Sequence, residues 1–170
     1  MPSKMISILG VEMVSKVFVF IEDTQGNLYT RSNWSSSKTC NSIALISLFN
    51  GLAFRIALTE PYLPFHNNLA YYVDVEPYME PQSNPYIDFD GKSNTLGIYN
   101  YNQAKDATGT GYGAAYAMDY AFPNGQKNGY VLSSGQFYLI YKNLSEVNAC
   151  INLVGGTPIT NGRGYYTSSF

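Results

Sequence analysis

The pattern of hydrophobic and polar positions is clearest near the start of the chain, where it predicts a β-hairpin. The run SKVFVFIED is rich in β-branched and aromatic residues, TQGN follows it, and LYTR returns. Two such runs joined by a short turn with glycine are typical of antiparallel strands. Residues 15–31 are therefore predicted to form a hairpin with Gly26 in its turn, and the first strand is apolar on both faces.

The later segments predict mostly strands, with a few short helices. The run CNSIALISLFNG fits a helical face and ends at Asn50-Gly51, a common helix stop. The alternation in LAFRIALTE predicts a half-buried strand. A second hairpin is predicted in YIDFDGKSNTLGIYNYN, with Asp90-Gly91 in its turn. The segment GYVLSSGQFYLIYKNL predicts two short strands joined at residues 133–135, and GAAYAMDYAF fits either a short helix or a strand.

Together these elements predict a mainly β fold, a β-rich α+β arrangement of about eight strands and two or three short helices. A length of 170 residues suits one domain, so residues 1–170 are predicted to form a single β-rich domain. Residues 1–14 are predicted to form an exposed N-terminal strand or arm, which would suit pairing with the sheet edge of a neighbouring molecule.

The composition favours a surface location and argues against nucleic acid as a partner. Charged residues make up 13% of the chain, about half the usual share, whereas 16 tyrosines and 9 phenylalanines supply packing material. Such chains are common among secreted, cell-surface and virion proteins, so an extracellular or particle-surface location is expected. The net charge is −2 and no Lys/Arg cluster exists, which excludes an electrostatic footprint for nucleic acid. The uncharged stretch at residues 5–11 is too short for a membrane span, and no export signal is recognisable.

The two cysteines, Cys40 and Cys150, allow one disulfide. A bond between them would close a loop of about 110 residues and stabilise the fold by about 4–5 kcal/mol in the chain-entropy model. The alternative is a pair of buried free thiols, the normal state in a cytosolic protein. The low charge of the chain favours the disulfide.

Candidate catalytic and metal-binding residues are few. His66 is the single histidine and has no Cys or His neighbours in the sequence, so neither a metal site nor a histidine-dependent triad is predicted. No cofactor is expected. Closely spaced carboxylates could serve a glycosidase, although 12 acidic residues make such spacings frequent by chance. The candidate pairs are Asp74 with Glu76, Asp88 with Asp90, and Glu22 with Asp23.

Aromatic side chains are the strongest candidates for contact with a partner. Tyr and Trp combine apolar area with a hydrogen-bonding group at low entropic cost, which suits protein interfaces and sugar faces alike. The alternative is ordinary packing in the core and the strands. The candidates for self-assembly or glycan contact are Trp34, Tyr71, Tyr72, Tyr78, Tyr86, Tyr99, Tyr101, Tyr112 and Tyr116.

Two segments resemble known families. The run FYLIYKNLSEVNACINLV, residues 137–154, resembles the C-terminal cysteine motif of type IVb pilins, in which a strand ends in a turn and a short helix carries Ala-Cys-x-x-Leu. The matching residues are Tyr141, Asn143, Leu144, Ala149, Cys150, Leu153 and Val154. The resemblance implies that Cys150 forms a disulfide with a distant partner. Residues 17–58 look like the strand-helix-strand unit of small toxin B-subunit lectins of the OB type, which implies glycan binding.

The predicted function is that of a non-enzymatic structural or adhesive subunit. It would assemble with copies of itself into a filament or a surface or particle assembly, through Tyr-rich and strand-edge contacts. The alternatives are a glycan-binding, lectin-like module and, as the weakest, a carboxylate-dependent glycosidase. A self-assembling subunit is expected to elute as a large assembly, whereas a lectin is expected to run as a small species that a sugar column retards.

Overall fold

The computed structural model describes residues 17–47, 51–59, 88–101, 113–160 and 167–169. Its strands are β1 (Val17–Asp23), β2 (Leu28–Tyr29), β3 (Cys40–Ser47) and β4 (Ala53–Ile56). A 3-10 helix spans Arg31–Asn33, and the α-helices are α1 (Gly91–Tyr101), α2 (Gly113–Asp119), α3 (Ser134–Lys142) and α4 (Leu144–Leu153). The chain divides into two compact units, the first comprising Met1–Glu60 with Leu139–Thr160 and the second Pro61–Tyr138 with Asn161–Phe170.

The first unit is built on an antiparallel sheet with the strand order β2-β1-β3-β4. The predicted hairpin is confirmed as β1 and β2, and Gly26 in its turn has a φ of 85°, a left-handed conformation that favours glycine. Ile21, Ile43 and Ile56 follow one another across three strands, and all three are buried. These side chains form the inner face of the sheet.

The strand β3 stands where a helix was predicted, so that prediction is wrong. β3 lies between β1 and β4, and seven of its eight residues are buried. A strand covered on both faces is a continuous apolar run, which periodicity cannot distinguish from a buried helix. The next prediction is confirmed, because β4 alternates between exposed Ala53 and Arg55 and buried Phe54 and Ile56.

Helix α4 contacts β1 and β3 through one buried face. Val147, Cys150 and Ile151 are each no more than 1% exposed, and their spacing of three and four residues places them on the same side of the helix. The helix ends before Gly155, whose φ of 75° is the left-handed conformation common just after a helix. Cys150 therefore lies on a short helix that ends just before a glycine.

In the second unit, α1 replaces the predicted hairpin at Asp90-Gly91. The Asp90 side chain accepts a hydrogen bond from the backbone N–H of Ser93 at 3.2 Å, which is the geometry of a helix N-cap. Gly91 serves close packing rather than a turn, since a Cβ there would lie 2.8 Å from the backbone nitrogen of Ser133. The segment that fitted either a helix or a strand forms the helix α2.

Helix α3 replaces the two strands predicted around residues 133–135. The side-chain oxygen of Gln136 accepts a hydrogen bond from the backbone N–H of Ser133 at 3.0 Å, which is one half of a capping box. Gln136, Leu139 and Ile140 are buried, and their spacing follows one helical face. The Ser-Ser-Gly-Gln sequence was thus a helix start, and the apparent alternation after it was a helical pattern.

The start of α3 is held by a short segment near the end of the chain, residues 167–169, here called the terminal strap. The Ser169 hydroxyl accepts a hydrogen bond from the Ser134 backbone N–H at 2.8 Å and donates one to the Asp88 carboxylate at 2.5 Å. The Ser168 N–H donates to the Leu132 carbonyl at 2.9 Å. The strap therefore joins the beginning of α3 to the segment that precedes α1.

The predicted fold class is wrong for the part of the chain described. It contains four strands in one sheet rather than about eight, and more of its residues lie in helices than in strands. The additional predicted strands fall at α1 and α3, where the residues that cap each helix had suggested a hairpin turn. The prediction of one domain over residues 1–170 stays a prediction, and the proposed arm at residues 1–14 lies outside the described residues.

Candidate functional site

The loop after β2 brings three side chains of the first unit together, here called the aromatic cluster: Tyr29, Trp34 and Lys38. The rings of Tyr29 and Trp34 meet edge to face, with centroids 5.7 Å apart and planes at 71°. The Lys38 ammonium lies 4.8 Å from the Tyr29 ring centroid, within the range of a cation–π contact. Both rings are only partly buried, so aromatic surface and a cation reach the solvent side by side.

Asp23, at the end of β1, fixes the position of the Tyr29 ring. Its carboxylate accepts the Tyr29 hydroxyl at 3.0 Å, and it also accepts the backbone N–H groups of Gln25 and Asn27, both at 2.9 Å. The Asn27 side chain donates to the same carboxylate at 3.0 Å. These hydrogen bonds, that of the Asn27 side chain foremost, lower the pKa of Asp23 to about 2. The carboxylate is therefore ionised at neutral pH and anchors both the turn and the ring.

The loop that carries Trp34 and Lys38 also contains exposed hydroxyl groups. Thr30 and Ser32 share a hydrogen bond of 3.0 Å, and Ser35 and Ser37 share one of 2.9 Å. All four residues are exposed. Interaction with the Tyr29 phenol raises the pKa of Lys38, so the ammonium stays charged. A ligand at this loop would meet an aromatic surface, a cation and a rim of hydroxyls.

The other face of the sheet is partly apolar and is here called the outer sheet face, formed by Phe18, Phe20, Leu28 and Ile46. Phe18 is 38% exposed and Leu28 is 40% exposed, and the rings of Phe18 and Phe20 stack with centroids 6.5 Å apart. The pairing of Phe18 with Ile46 sets these side chains on the same side of the sheet. This face offers apolar area at the surface of the first unit.

An ion pair between a buried carboxylate and a half-exposed arginine lies on the same face. The Glu22 side chain is only 4% exposed; it accepts the Ser42 hydroxyl at 2.5 Å, the Asn41 amide at 3.3 Å and the Arg55 Nε at 2.8 Å. Burial by itself would raise the pKa of Glu22, but the hydrogen bonds from Arg55, Ser42 and Asn41 and the charge of Arg55 outweigh it, so the pKa is lowered. This network holds β1, β3 and β4 together.

The carboxylates considered for a glycosidase have structural partners. Glu22 and Asp23 are held by the contacts just described. In the second unit, the Asp88 side chain accepts the Asn94 amide at 2.7 Å and the Asp90 backbone N–H at 2.9 Å, while Asp90 caps α1. Asp74 and Glu76 lie outside the described residues, as does His66. Glu22, Asp23, Asp88 and Asp90 therefore act in the architecture of the two units.

The predicted aromatic contact residues are distributed between the two units. Trp34 lies in the first, and Tyr99 on α1 and Tyr116 on α2 lie in the second; Tyr116 is 39% exposed. Tyr101 belongs to α1, but its side chain is outside the described part. The residues Tyr71, Tyr72, Tyr78, Tyr86 and Tyr112 also lie outside the described residues.

Sequence reasoning missed Tyr29 and Lys38, which complete the aromatic cluster. The hairpin register carried the signal, because it places Tyr29 opposite Ile21, at the end of the return strand and beside the loop that contains Trp34. Two exposed tyrosines of α3, Tyr138 and Tyr141, were also missed, since that segment was read as a strand.

Cys40 and Cys150 both lie in the first unit as buried free thiols, so the structure does not contain the predicted disulfide. The Cys40 sulfur donates to the Ser42 carbonyl at 3.5 Å, and the Cys150 sulfur lies 3.9 Å from the Glu146 carboxylate. Burial raises the pKa of each thiol to about 11. Both thiols are therefore protonated and poorly nucleophilic at neutral pH.

The described residues contain neither a metal-binding cluster nor a membrane-spanning helix. No group of three or more His, Cys, Asp or Glu side chains is arranged to hold a metal ion. No described helix has the length and apolar character that crossing a bilayer requires. Comparisons of the chain with protein-family models, with curated proteins and with solved structures found no match. The resemblance of residues 137–154 to type IVb pilins stays a prediction.

Proposed function

We propose that this protein is a non-enzymatic glycan-binding module, with the aromatic cluster as its sugar-contact site. The observation that carries the proposal is the meeting of Trp34 and Tyr29 beside Lys38 on a loop rich in exposed hydroxyls. A sugar ring has an apolar C–H face and a rim of hydroxyls, so a binding site needs aromatic surface next to donors and acceptors. An extracellular or particle-surface location is part of this proposal.

The fixed positions of the aromatic side chains in the loop support the same proposal. The Asp23 carboxylate holds the Tyr29 ring before any ligand arrives, and the 3-10 helix Arg31–Asn33 spaces Trp34 from it. A ligand therefore does not have to order these groups, which lowers the entropic cost of binding. Sites on loops supported by a rigid sheet are a common location for binding residues.

The test is a glycan array followed by titration of the best ligand, monitored by tryptophan fluorescence. The chain contains one tryptophan, so a change in fluorescence reports on Trp34 itself. Trp34→Ala, read by calorimetry because it lacks the fluorophore, is expected to lower the affinity about tenfold. Tyr141→Ala, which removes a 55% exposed tyrosine of the same unit, is the matched control and should bind normally. A chain that binds no glycan on the array contradicts the proposal.

A second candidate function is self-assembly, and the outer sheet face favours it. Phe18 and Leu28 together expose apolar area beside the stacked Phe20 ring, and such patches often mark interaction sites. Mass photometry and negative-stain microscopy, with and without reductant, test this candidate. Large assemblies that Phe18→Ser or Leu28→Ser disperse would support it. A monomer in both conditions would contradict it.

A further inference from the structure

An open, shallow surface groove lies in the first unit, next to the aromatic cluster in the sequence. Residues 30–32 form one wall, and Glu146, Ala149, Asn152 and Leu153 of α4 form the other. Residues 30–32 belong to the segment 30–33 that links Tyr29 to Trp34. The groove and the aromatic cluster therefore share one short loop.

The groove contains two charges that compensate each other. The guanidinium of Arg31 lies 3.2 Å from the carboxylate of Glu146, and the two side chains are 51% and 46% exposed. A free anion would have to compete with Glu146 for Arg31, and a free cation would have to compete with Arg31 for Glu146. The pair nevertheless presents charged hydrogen-bonding groups to the solvent, which make stronger hydrogen bonds with neutral hydroxyls than uncharged groups do.

The remaining lining combines polar and apolar groups. The hydroxyls of Thr30 and Ser32 stand 3.0 Å apart on one wall, and the exposed amide of Asn152 stands on the other. Leu153 is 49% exposed and provides an apolar surface beside them. Donors, acceptors and an apolar surface thus converge on the same groove.

We propose that this groove is a second sugar subsite that selects a neutral saccharide unit over a charged one. The proposal rests on the glycan-binding function proposed above and extends it from one contact site to two. A neutral polyol can use Arg31 and Glu146 together without separating them, whereas a uronic acid or an amino sugar competes with one partner of the pair. A glycan that spans both sites would place one ring at the aromatic cluster and another in the groove.

The experiment titrates the full-length protein with a panel of neutral disaccharides, with glucuronic acid and glucosamine as charged probes. NMR detects the side-chain N–H signals of Arg31 and Asn152, which report on the groove separately from Trp34. Neutral disaccharides are expected to shift both signals. Glu146→Gln is expected to weaken neutral binding about tenfold and to strengthen the binding of glucuronic acid, since Arg31 then lacks its carboxylate partner. Leu153→Ser is expected to weaken binding, and Lys127→Gln, which disrupts the exposed Lys127–Asp119 pair of the second unit, is the matched control and should change nothing.

The possible outcomes distinguish failure of the groove proposal from failure of the glycan-binding proposal. If Trp34→Ala lowers the affinity but Glu146→Gln and Leu153→Ser leave it unchanged, the groove proposal is overturned and the aromatic cluster stands alone. If the unaltered protein prefers glucuronic acid or glucosamine in the groove, the selectivity is overturned. If no saccharide shifts any signal up to about 10 mM, where a useful affinity would be evident, both proposals fail.

Discussion

The buried carboxylate of Glu22 predicts a strong asymmetry between two arginines of the first unit. Arg55 and Arg31 are equally exposed, at 52% and 51%, and each pairs with a glutamate. The partners differ, because the Glu22 side chain is 4% exposed and that of Glu146 is 46% exposed. Replacing Arg55 by Ala leaves a buried carboxylate without its cation, whereas replacing Arg31 leaves a carboxylate that water can solvate.

The magnitudes follow from that difference in burial. Breaking a fully buried pair costs about 3–5 kcal/mol, and because water can enter where the half-exposed Arg55 stood, we expect a loss of about 2–3 kcal/mol. Arg31→Ala is expected to cost about 0.5 kcal/mol, as for other exposed pairs. Urea unfolding followed by the fluorescence of Trp34 measures the stability of this unit, and the midpoint of Arg55→Ala should fall by about 1–2 M.

The pH dependence supplies an independent check. The lowered pKa of Glu22 means that its carboxylate contributes stability above its ordinary pKa of 4.5, and that this contribution is lost as pH falls through the lowered value. Without Arg55 the pKa of Glu22 rises, so the difference in stability between the two proteins should shrink as the pH falls from 7 to about 3. A cost of Arg55→Ala equal to that of Arg31→Ala, or a difference that stays constant with pH, would refute this reasoning.

Three further predictions concern the terminal strap, α1 and the thiols. Ser169→Ala removes one hydrogen bond to the start of α3 and one to Asp88, and should cost about 1–2 kcal/mol. Hydrogen exchange should accelerate in the first turn of α3, and unchanged exchange would contradict the role of the strap. Gly91→Ala forces a Cβ within 2.8 Å of backbone atoms and should lower stability by about 1–3 kcal/mol. The control is Gly97→Ala in the same helix, where a Cβ would have nothing within 4 Å. It should be neutral or slightly stabilising in thermal melts followed by circular dichroism. The raised pKa of Cys40 and Cys150 predicts that neither thiol reacts with a maleimide at neutral pH in the folded protein. In urea without reductant, both thiols should react. If no thiol is labelled in urea, the predicted disulfide is established instead.

Short sequence patterns with one physical meaning were sufficient to predict part of the fold. Gly26 between two β-branched runs determined the first hairpin, since few other residues adopt its left-handed backbone. The alternation of β4 was equally direct. For the aromatic site, the single tryptophan on a polar loop was enough to propose Trp34 as a contact residue.

Other elements depended on what packs against them. Neighbouring strands and α4 bury most of β3, and its apolar run from Ile43 to Ile46 would suit a buried helix equally well. Asp90 and the Ser-Ser-Gly-Gln segment fit turns as well as helix caps, and the choice followed from the buried faces of α1 and α3. Local spacing in the chain cannot show which side chains another element covers.

The binding surface shows the same division between sequence and structure. The chain by itself determined that aromatic and hydroxyl groups are abundant and charges are few, because composition alone sets the chemistry that a surface can offer. Only the tertiary structure placed Tyr29 beside Trp34, Lys38 over the Tyr29 ring, and Arg31 beside Glu146. The first two contacts depend on the fold of the loop after β2, and the third depends on the packing of α4. The charge balance of the groove therefore follows from Arg31 and Glu146, which are far apart in the chain and adjacent only in the folded first unit. The aromatic cluster, by contrast, joins residues that are close in the chain and that the fold of one loop brings into contact.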